Sequence, residues 1–355
     1  MARIESMILG LIAGDAIGAG CEFCTPEAVQ KDFPNGLTAP IAGGPHNLME
    51  GQLTDDSEMM SLLLRQVYEI AREVVLHGQD MADVTNHGDF AKTMKAAYRD
   101  WYYSRPVDCG STVAAALQQT GIYMDINEHA QGNGALMRVA PVAALFFLSN
   151  YGAQITRNGR IASRIEDLAT WDAELTHRSR TCIDANHAFI AGLYYALQGY
   201  EPARIKELTL DFCKRAFITP GVIRAINDEI PIEGHGWVLN ALRHAFTFGL
   251  RDDSSFEKIM GEVTKLGYDT DTNCAVVGAM LGARGILPNT MNYNTIYYCR
   301  PKTRPQEYWA STIMMYAFGL QRLIALARLM DEARADDEQL KLAKLCSVLE
   351  VNNGN

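Results

Sequence analysis

The sequence lacks an excess of positive charge. Its 355 residues carry a formal net charge of −10. General nucleic-acid binding needs a basic field that displaces counterions, so this composition argues against a nucleic-acid partner. It still allows an anionic ligand, because local backbone amides and cations can hold phosphate against the overall field.

Paired cysteines are also scarce. The eight cysteines are scattered along the chain, and only Cys21 and Cys24 form a C-x-x-C pair. No second pair completes a zinc site of the usual kind. We therefore expect reduced cysteines, as in a cytoplasmic protein.

Long apolar runs are absent. None approaches the roughly 18 residues that cross a membrane. The apolar stretch from Met7 to Ala13 follows Arg3 and faintly resembles a signal peptide, but Glu5 precedes it and Asp15 follows it within two residues. These acids spoil the signal-peptide pattern. The sequence therefore predicts a cytoplasmic protein without a membrane partner.

Strand-like alternation of apolar and polar residues is missing as well, and helical spacing takes its place. Apolar residues recur at three- and four-residue steps. The segments with this spacing are 57–77, 90–103, 112–119, 185–198, 237–247, 273–284 and 313–351. The pattern predicts an all-α fold, with a break near Ala335. No linker separates two domains, so we expect one domain over 1–355, with an irregular loop at about 288–307 and C-terminal helices at about 313–351.

Five acidic residues stand in three short contexts rich in glycine or threonine. They are Glu22 in GDAIGAGCEF, Asp55 and Asp56 in GQLTDDSEM, and Asp269 and Asp271 in GYDTDTNC. The simplest interpretation of each cluster is a helix cap, because Thr and Asp oxygens accept the free amide hydrogens of a first turn. A cap uses one acid, however, and leaves the second unexplained. Neighbouring acids can converge only at a helix entrance, since successive residues of a regular helix point to different sides.

If both helix entrances meet, four carboxylates and the hydroxyls of Thr54 and Thr272 share a small volume. Unpaired negative charges at such distances raise one another's pKa until some carboxyls are protonated. Divalent cations remove that conflict, and oxygen ligands without nearby His or Cys favour Mg²⁺ or Mn²⁺ over zinc. With Glu22 included, five carboxylates balance two such ions to within one unit of charge. The pattern therefore predicts a binuclear metal site.

Five motifs in a fixed order resemble the ADP-ribosylglycohydrolase family, which includes the dinitrogenase-reductase-activating glycohydrolase and ADP-ribosylarginine hydrolases. The motifs are GDAIGAGCEF, LTDDSEM, GNGALMRVAP at 132–141, Thr176-His177 and GYDTDTNCAVVGAMLGARG. Together they span residues 10–285. The resemblance implies a single-domain, compact orthogonal bundle of many helices.

The resemblance also implies roles for individual residues. The implied metal ligands are Thr54, Asp55, Asp56, Asp269, Asp271, Thr272 and Glu22. The implied catalytic carboxylates are Glu22, Asp55, Asp56 and Asp269. The implied substrate-binding residues are Gly110, Ser111, Asn133, Gly134 and His177. Two Mg²⁺ or Mn²⁺ ions are the implied cofactors.

Two other expectations concern residues around these motifs. Gly132-Asn133-Gly134 precedes an apolar stretch, where it could expose backbone amides to an anion at a helix N-terminus. His187 lies at helical spacing among apolar residues, so we interpret it as structural.

The function that the resemblance implies is metal-dependent removal of ADP-ribose from a protein, with ADP-ribose as product. The implied linkage is the N-glycosidic bond to arginine, so the enzyme would reverse an ADP-ribosyltransferase. Two alternatives stay open. One is another ADP-ribose linkage, serine-linked or in O-acetyl-ADP-ribose. The other is an immunity-type binder that sequesters a cognate ADP-ribosyltransferase toxin, but six intact oxygen ligands at two helix entrances favour catalysis.

Overall fold

The computed structural model describes residues 3–123, 125–150, 161–231 and 235–351. Within these ranges the chain is built from helices, and strand pairing is limited to two isolated bridges, Gly43 with Leu48 and Gly132 with Trp237. The all-α prediction is confirmed.

Sixteen α-helices are described, joined by short turns and three 3₁₀ segments. The first eight are α1 (Ile4–Gly18), α2 (Pro26–Asp32), α3 (Asp55–His77), α4 (Met81–Val84), α5 (His87–Tyr103), α6 (Ser111–Gln118), α7 (Leu145–Asn150) and α8 (Ile161–Glu174). The others are α9 (Arg180–Leu197), α10 (Pro202–Arg215), α11 (Pro220–Ile226), α12 (Val238–Thr247), α13 (Phe256–Thr264), α14 (Thr270–Arg284), α15 (Thr290–Tyr297) and α16 (Ala310–Val351). The 3₁₀ segments are Ala19–Cys21, Ala140–Ala144 and Gln306–Tyr308.

The seven segments predicted from helical spacing fall on α3, α5, α6, α9, α12, α14 and α16. Helix α1 shows no such spacing because nearly all of its residues are apolar or glycine and nearly all are buried. A helix surrounded by protein on every side has no polar face to reveal its period.

Two expectations about the C-terminal region are wrong. The segment 288–307 is not irregular throughout, because it contains α15, whose first turn is capped by the Asn289 side chain accepting from the Asn292 amide at 2.9 Å. No break occurs near Ala335, because α16 continues through it. After Gly319 the sequence has neither Gly nor Pro before residue 352, so nothing in it stops the helix.

The centre of the molecule is the antiparallel contact of α1 with α14, where the two backbones touch. A Cβ atom on Gly14 would lie 2.0 Å from the Cys274 carbonyl oxygen, and one on Gly10 would lie 2.1 Å from that of Gly278. Only glycine fits at these positions. The close contact brings Gly18, at the end of α1, beside Thr270 at the start of α14.

Two helices are long and apolar enough, by length and composition alone, to cross a membrane. They are the window Ile4–Cys21, with mean hydropathy 1.4, and the window Ala310–Ala333, with mean hydropathy 1.3. The first is 78% buried inside the protein, as expected of a core helix, and the second is 39% buried. The expectation of no membrane partner stays a prediction.

Candidate active site

The entrance of α3 is capped by a side chain from another helix. Asp15, fully buried on α1, accepts hydrogen bonds from the Thr54 amide and the Ser57 amide, each at 3.2 Å, and from the Thr54 hydroxyl at 2.8 Å. The Thr54 side chain makes no cap of its own. Burial raises the pKa of Asp15 to about 6, although these hydrogen bonds lower it. Because Asp15 supplies the cap, the capping interpretation of the Thr54 cluster is wrong. The carboxylates of Asp55 and Asp56 are therefore not needed to cap α3.

The entrance of α14 is arranged in a similar way. Asp269 occupies the N-cap position without making a side-chain cap, and its Oδ2 accepts from Asn133 Nδ2 at 2.5 Å. The preceding Tyr268 exchanges backbone hydrogen bonds with the turn at Phe23, at 2.6 and 2.7 Å. Tyr268 and Phe23 both have left-handed backbone conformations, with φ of 65° and 61°. This pairing places Glu22, next to Phe23, beside the start of α14.

The predicted carboxylates meet in one cavity of about 360 Å³. Its lining includes Glu22, Asp55, Asp56, Asp269, Asp271 and Thr272. Carboxylate oxygens of Glu22, Asp269 and Asp271 lie within 4.8 Å of one another, as do those of Asp55, Asp108 and Asp271. Within the described part of the chain, one oxygen of Asp56 and one of Asp271 are buried without a hydrogen-bond partner. Such bare, converging oxygens fit hard divalent cations such as Mg²⁺ or Mn²⁺.

The electrostatics of this cluster also indicate missing positive charge. Burial raises the pKa of Asp56 well above its usual range, and the charges of Asp55, Asp15 and Asp269 raise it further. Burial does the same for the pKa of Asp271, with Glu22 and Asp56 as the leading neighbours. Carboxyls so placed take up protons unless a cation is bound among them. The residues present therefore fit a site for divalent metal.

One expectation about the ligand set is wrong, because a histidine does lie beside it. His46 Nε2 is 2.7 Å from Glu22 Oε2 and 3.8 Å from Asp108 Oδ1. The segment between α2 and α3 carries His46 there, far in sequence from the acidic motifs. The hydrogen bond with Glu22 raises the pKa of His46 above its ordinary value.

The two predicted threonine ligands differ in their surroundings. The Thr272 hydroxyl donates to Asp56 Oδ2 at 3.2 Å and faces the cavity. Thr54 is fully buried behind the lining, and its hydroxyl proton is used by Asp15. Its oxygen keeps lone pairs that a cation could use, so its role as a ligand stays a prediction.

The five predicted substrate-binding residues line the same cavity as the carboxylates; they are Gly110, Ser111, Asn133, Gly134 and His177. The Gly110 amide donates to Asp55 Oδ2 at 3.2 Å, so this wall also orients a carboxylate. The His177 ring lies against the glycines of the GNG turn, where a Cβ on Gly134 would come within 2.9 Å of it. Burial lowers the pKa of His177 to about 3, so the ring is neutral at physiological pH.

The expected anion site on backbone amides of the GNG turn stays a prediction, but it lacks the expected helix N-terminus and the Asn133 amide. No helix begins there, and the Asn133 amide donates to the Gly236 carbonyl at 3.0 Å. The bridge between Gly132 and Trp237 uses the same edge. Asn133 instead contributes its side chain, which orients Asp269.

Sequence reasoning missed four residues that shape the site: Asp15, His46, Asp108 and Arg138. Asp108 stands two residues before Gly110, in the same segment as two of the predicted substrate-binding residues. Arg138, in the GNGALMR motif, is fully buried and connects the GNG turn to the Thr176-His177 pair. It donates to the Gly134 carbonyl and to the Thr176 hydroxyl, each at 2.9 Å, and that hydroxyl lies 2.9 Å from His177 Nδ1.

Two groups expected to be structural lie apart from this chemistry. His187 Nε2 contacts the Thr170 hydroxyl at 2.9 Å and does not line the cavity. Cys21 and Cys24 are free thiols, and Cys21 is buried with its sulfur 3.6 Å from the Thr270 hydroxyl.

Comparison with known proteins gives a clear result. A family model described as ADP-ribosylglycohydrolase matches residues 1–289. The chain belongs to the ADP-ribosylglycohydrolase family. The resemblance predicted from the five motifs is therefore confirmed. The family consists of enzymes that act on ADP-ribosylated protein and release ADP-ribose, and it is known for a binuclear metal site.

The individual relatives are distant, and the share of the chain that they match differs from one to the next. An ADP-ribosylarginine hydrolase, Tri1, of Pseudomonas putida is 26% identical over 79% of this chain and 70% of its own length. The ADP-ribosyl-dinitrogen reductase glycohydrolase of Rhodospirillum rubrum is 35% identical over 40% of this chain and 44% of its own length. A solved structure of an ADP-ribosylglycohydrolase-related protein complex is similar with a TM-score of 0.64 at 25% identity, over 91% of this chain and 98% of that one.

Proposed function

We propose that this ADP-ribosylglycohydrolase cleaves the N-glycosidic bond between ADP-ribose and an arginine side chain of a modified protein, and so reverses an ADP-ribosyltransferase. The observation that carries the proposal is a single cavity whose walls combine the acidic cluster with the cleft residues of the family motifs. The relative named as an ADP-ribosylarginine hydrolase, matched over 79% of this chain, supports the arginine linkage.

Two Mg²⁺ or Mn²⁺ ions are the proposed cofactors. The ligands would be the carboxylates of Glu22, Asp55, Asp56, Asp269 and Asp271 with the hydroxyls of Thr54 and Thr272. Five ionised carboxylates carry five negative charges and two divalent ions neutralise four of them, which removes most of the repulsion. When bound, such ions polarise the oxygens they touch and make a coordinated water easier to deprotonate.

The chain's own residues supply orientation and a proton acceptor. The Gly110 amide fixes Asp55, and the Asn133 side chain fixes Asp269. A carboxylate held in this way can take the proton of the attacking water, and Asp55, Asp56 and Asp269 are the candidates, with Glu22 at the same wall. The neutral ring of His177 serves as a hydrogen-bonding wall of the cleft and not as a charge.

The leaving group also fits the site. A guanidinium carries positive charge, and the cavity keeps a net negative charge even when two divalent ions are counted, since Asp108 adds to the five carboxylates. An arginine leaving group is therefore attracted where a serine hydroxyl or an acetyl ester gains nothing.

The linkage is tested by offering three substrates to the pure protein with Mg²⁺ or Mn²⁺: an ADP-ribosyl-arginine peptide, a serine-ADP-ribosylated peptide and O-acetyl-ADP-ribose. We expect ADP-ribose release to be fastest from the arginine peptide, measured by chromatography of the free nucleotide. Faster release from either other substrate would refute the arginine linkage and leave the glycohydrolase activity standing.

The alternative of a pure binding protein has weaker support. A protein that only covers a transferase gains nothing from buried, unpartnered carboxylate oxygens, which destabilise the fold. The cavity has two of them, on Asp56 and Asp271. Hydrolysis is therefore the proposed role, with a cognate transferase as the enzyme whose product is removed.

A further inference from the structure

A buried arginine lies just outside the part of the chain that the family model matches. Arg304 follows the matched residues 1–289 and forms a fork with Glu58: its Nε is 2.7 Å from Oε1 and its Nη2 is 2.6 Å from Oε2. The side chains are 1% and 2% exposed. Its guanidinium also lies 4.9 Å from the centre of the Tyr308 ring. This is a rigid, desolvated contact, and planar bidentate geometry is what distinguishes arginine from lysine in such places.

Glu58 lies in the first turn of α3, two residues after Asp56. Its amide donates to the Thr54 carbonyl at 3.1 Å, and its Oε2 also accepts from Trp101 Nε1 at 2.7 Å. Both carboxylate oxygens are therefore held. A fixed Glu58 sets the rotation of the helix turn that presents Asp55 and Asp56 to the cavity.

The third guanidinium nitrogen of Arg304, Nη1, contacts the end of α5. Nη1 donates to the Ser104 carbonyl and lies 3.1 Å from the Ser104 hydroxyl. Ser104 ends α5 and starts the loop that carries Asp108 and Gly110 to the cavity. That loop returns to the acidic cluster, because the Gly110 amide binds Asp55. The Arg304 guanidinium thus holds both the first turn of α3, which carries Asp55, and the loop after α5, which carries Asp108. The carboxylates of these two residues lie close together in the cavity.

A second ion pair joins the C-terminal segment to α3 without reaching the site. Arg65, further along α3, pairs with Glu307 at 3.3 Å, with side chains 23% and 48% exposed. This pair can attach the C-terminal segment to α3, so the buried fork is not needed for attachment alone. Arg65 therefore provides a matched control, because it also connects α3 to the C-terminal segment.

We propose that Arg304 is a positioning residue for the acidic cluster, so that the segment after the family-matched residues completes the metal site. The inference rests on the proposed divalent-metal site. Groups that orient metal ligands typically contribute about 10–100-fold to metal affinity. The same loss is expected when Arg304 is removed.

The test measures Mn²⁺ binding to the full chain through the electron paramagnetic resonance signal of free Mn²⁺. The titration is done at a temperature where circular dichroism shows that every variant is folded. We expect Arg304→Met to weaken binding about 10–100-fold. Arg304→Lys keeps the charge but loses the fork, so its affinity should fall in between. Arg65→Met should bind like the wild type.

A purely structural role is separated by a double variant. Arg304→Met leaves the Glu58 charge buried and unpaired, which costs stability. Adding Glu58→Gln removes that charge while its amide oxygen can still accept from Trp101. We expect the melting temperature to recover and the Mn²⁺ affinity to stay low.

Recovery of affinity together with stability would overturn the inference, as would wild-type affinity in folded Arg304→Met. Should the wild type bind no Mn²⁺, the proposed metal site fails and the inference fails with it. Should the wild type bind while all variants match it, only the role of Arg304 is refuted.

Discussion

At the scale of single residues, the site consists of acidic side chains that lie close together in one cavity. Asp55, Asp56 and Asp271 are buried in one cavity because two helix entrances meet, as their spacing predicted. Asp15 and Asp108 act through what lies opposite each of them: Asp15 accepts from the Thr54 and Ser57 amides, and Asp108 Oδ1 lies 3.8 Å from His46 Nε2. The cap that Asp15 provides explains why the Thr54 side chain does not cap its own helix.

The cost of gathering these charges gives a prediction at Asp56. Without metal, Asp56→Asn removes a buried carboxyl that burial and neighbouring acids keep from ionising as it does in the unfolded chain, so the protein should gain about 0.5–2 kcal/mol, the usual size of a single stabilising change. With metal, the wild type should gain roughly 2.7 kcal/mol at a hundredfold excess over Kd, and the variant should not. Melting curves in chelator and in Mn²⁺ measure both.

The control for that experiment is Asp125→Asn, an exposed loop acid whose change should shift neither curve. A metal-free Asp56→Asn protein less stable than the wild type, together with an undiminished gain on adding Mn²⁺, would mean that Asp56 is not a ligand.

At the scale of elements, the position of the site depends on how closely α1 and α14 approach. The sequence could not identify the helix that packs against α14, because α1 is almost entirely apolar or glycine and shows no polar face. The α1–α14 contact sets where Asp15 meets α3 and where Asp269 begins α14. A displacement of α1 relative to α14 would therefore displace the predicted ligands on α3 relative to those at the start of α14.

Gly14→Ala tests this contact. The new Cβ would lie 2.0 Å from the Cys274 carbonyl oxygen, a backbone atom that cannot move alone. We expect a loss of about 1–3 kcal/mol in the free energy of unfolding, as for overpacked cores, and weaker Mn²⁺ binding. Urea denaturation measures the first and calorimetric titration the second.

Gly88→Ala, in the first turn of α5, is the matched substitution. Its Cβ would meet only the Asn86 side chain, at 3.6 Å. Alanine has the higher helix propensity, so we expect no loss and a gain of up to about 1 kcal/mol. Equal effects of the two substitutions would show that the close approach of α1 and α14 is not what glycine serves.

At the scale of the whole molecule, the all-α class and most of the acidic lining of the cavity followed from the sequence, whereas the meeting of distant segments did not. His46 and Arg304 reach the site region from long connecting segments without any motif, so no local pattern marks them. The GNG turn is another example, because the carbonyl of the distant Gly236 accepts from the Asn133 amide, which was expected to be free for an anion. Helix α16 is an error of the opposite kind, because the break predicted near Ala335 lies in a stretch without Gly or Pro, and the helix continues through it.

The most direct measurement is a metal titration of ADP-ribose release from an ADP-ribosyl-arginine protein, with wild type and Asp269→Ala side by side. We expect no release in chelator, saturable recovery with Mg²⁺ or Mn²⁺, and a loss of about a thousandfold or more in the variant, since metal stabilisation contributes several kcal/mol. Loss of a ligand at a helix entrance should cost only about 1 kcal/mol of stability, so melting curves should show the variant folded. Equal release with and without metal, or undiminished release by a folded Asp269→Ala protein, would contradict a metal-dependent hydrolase.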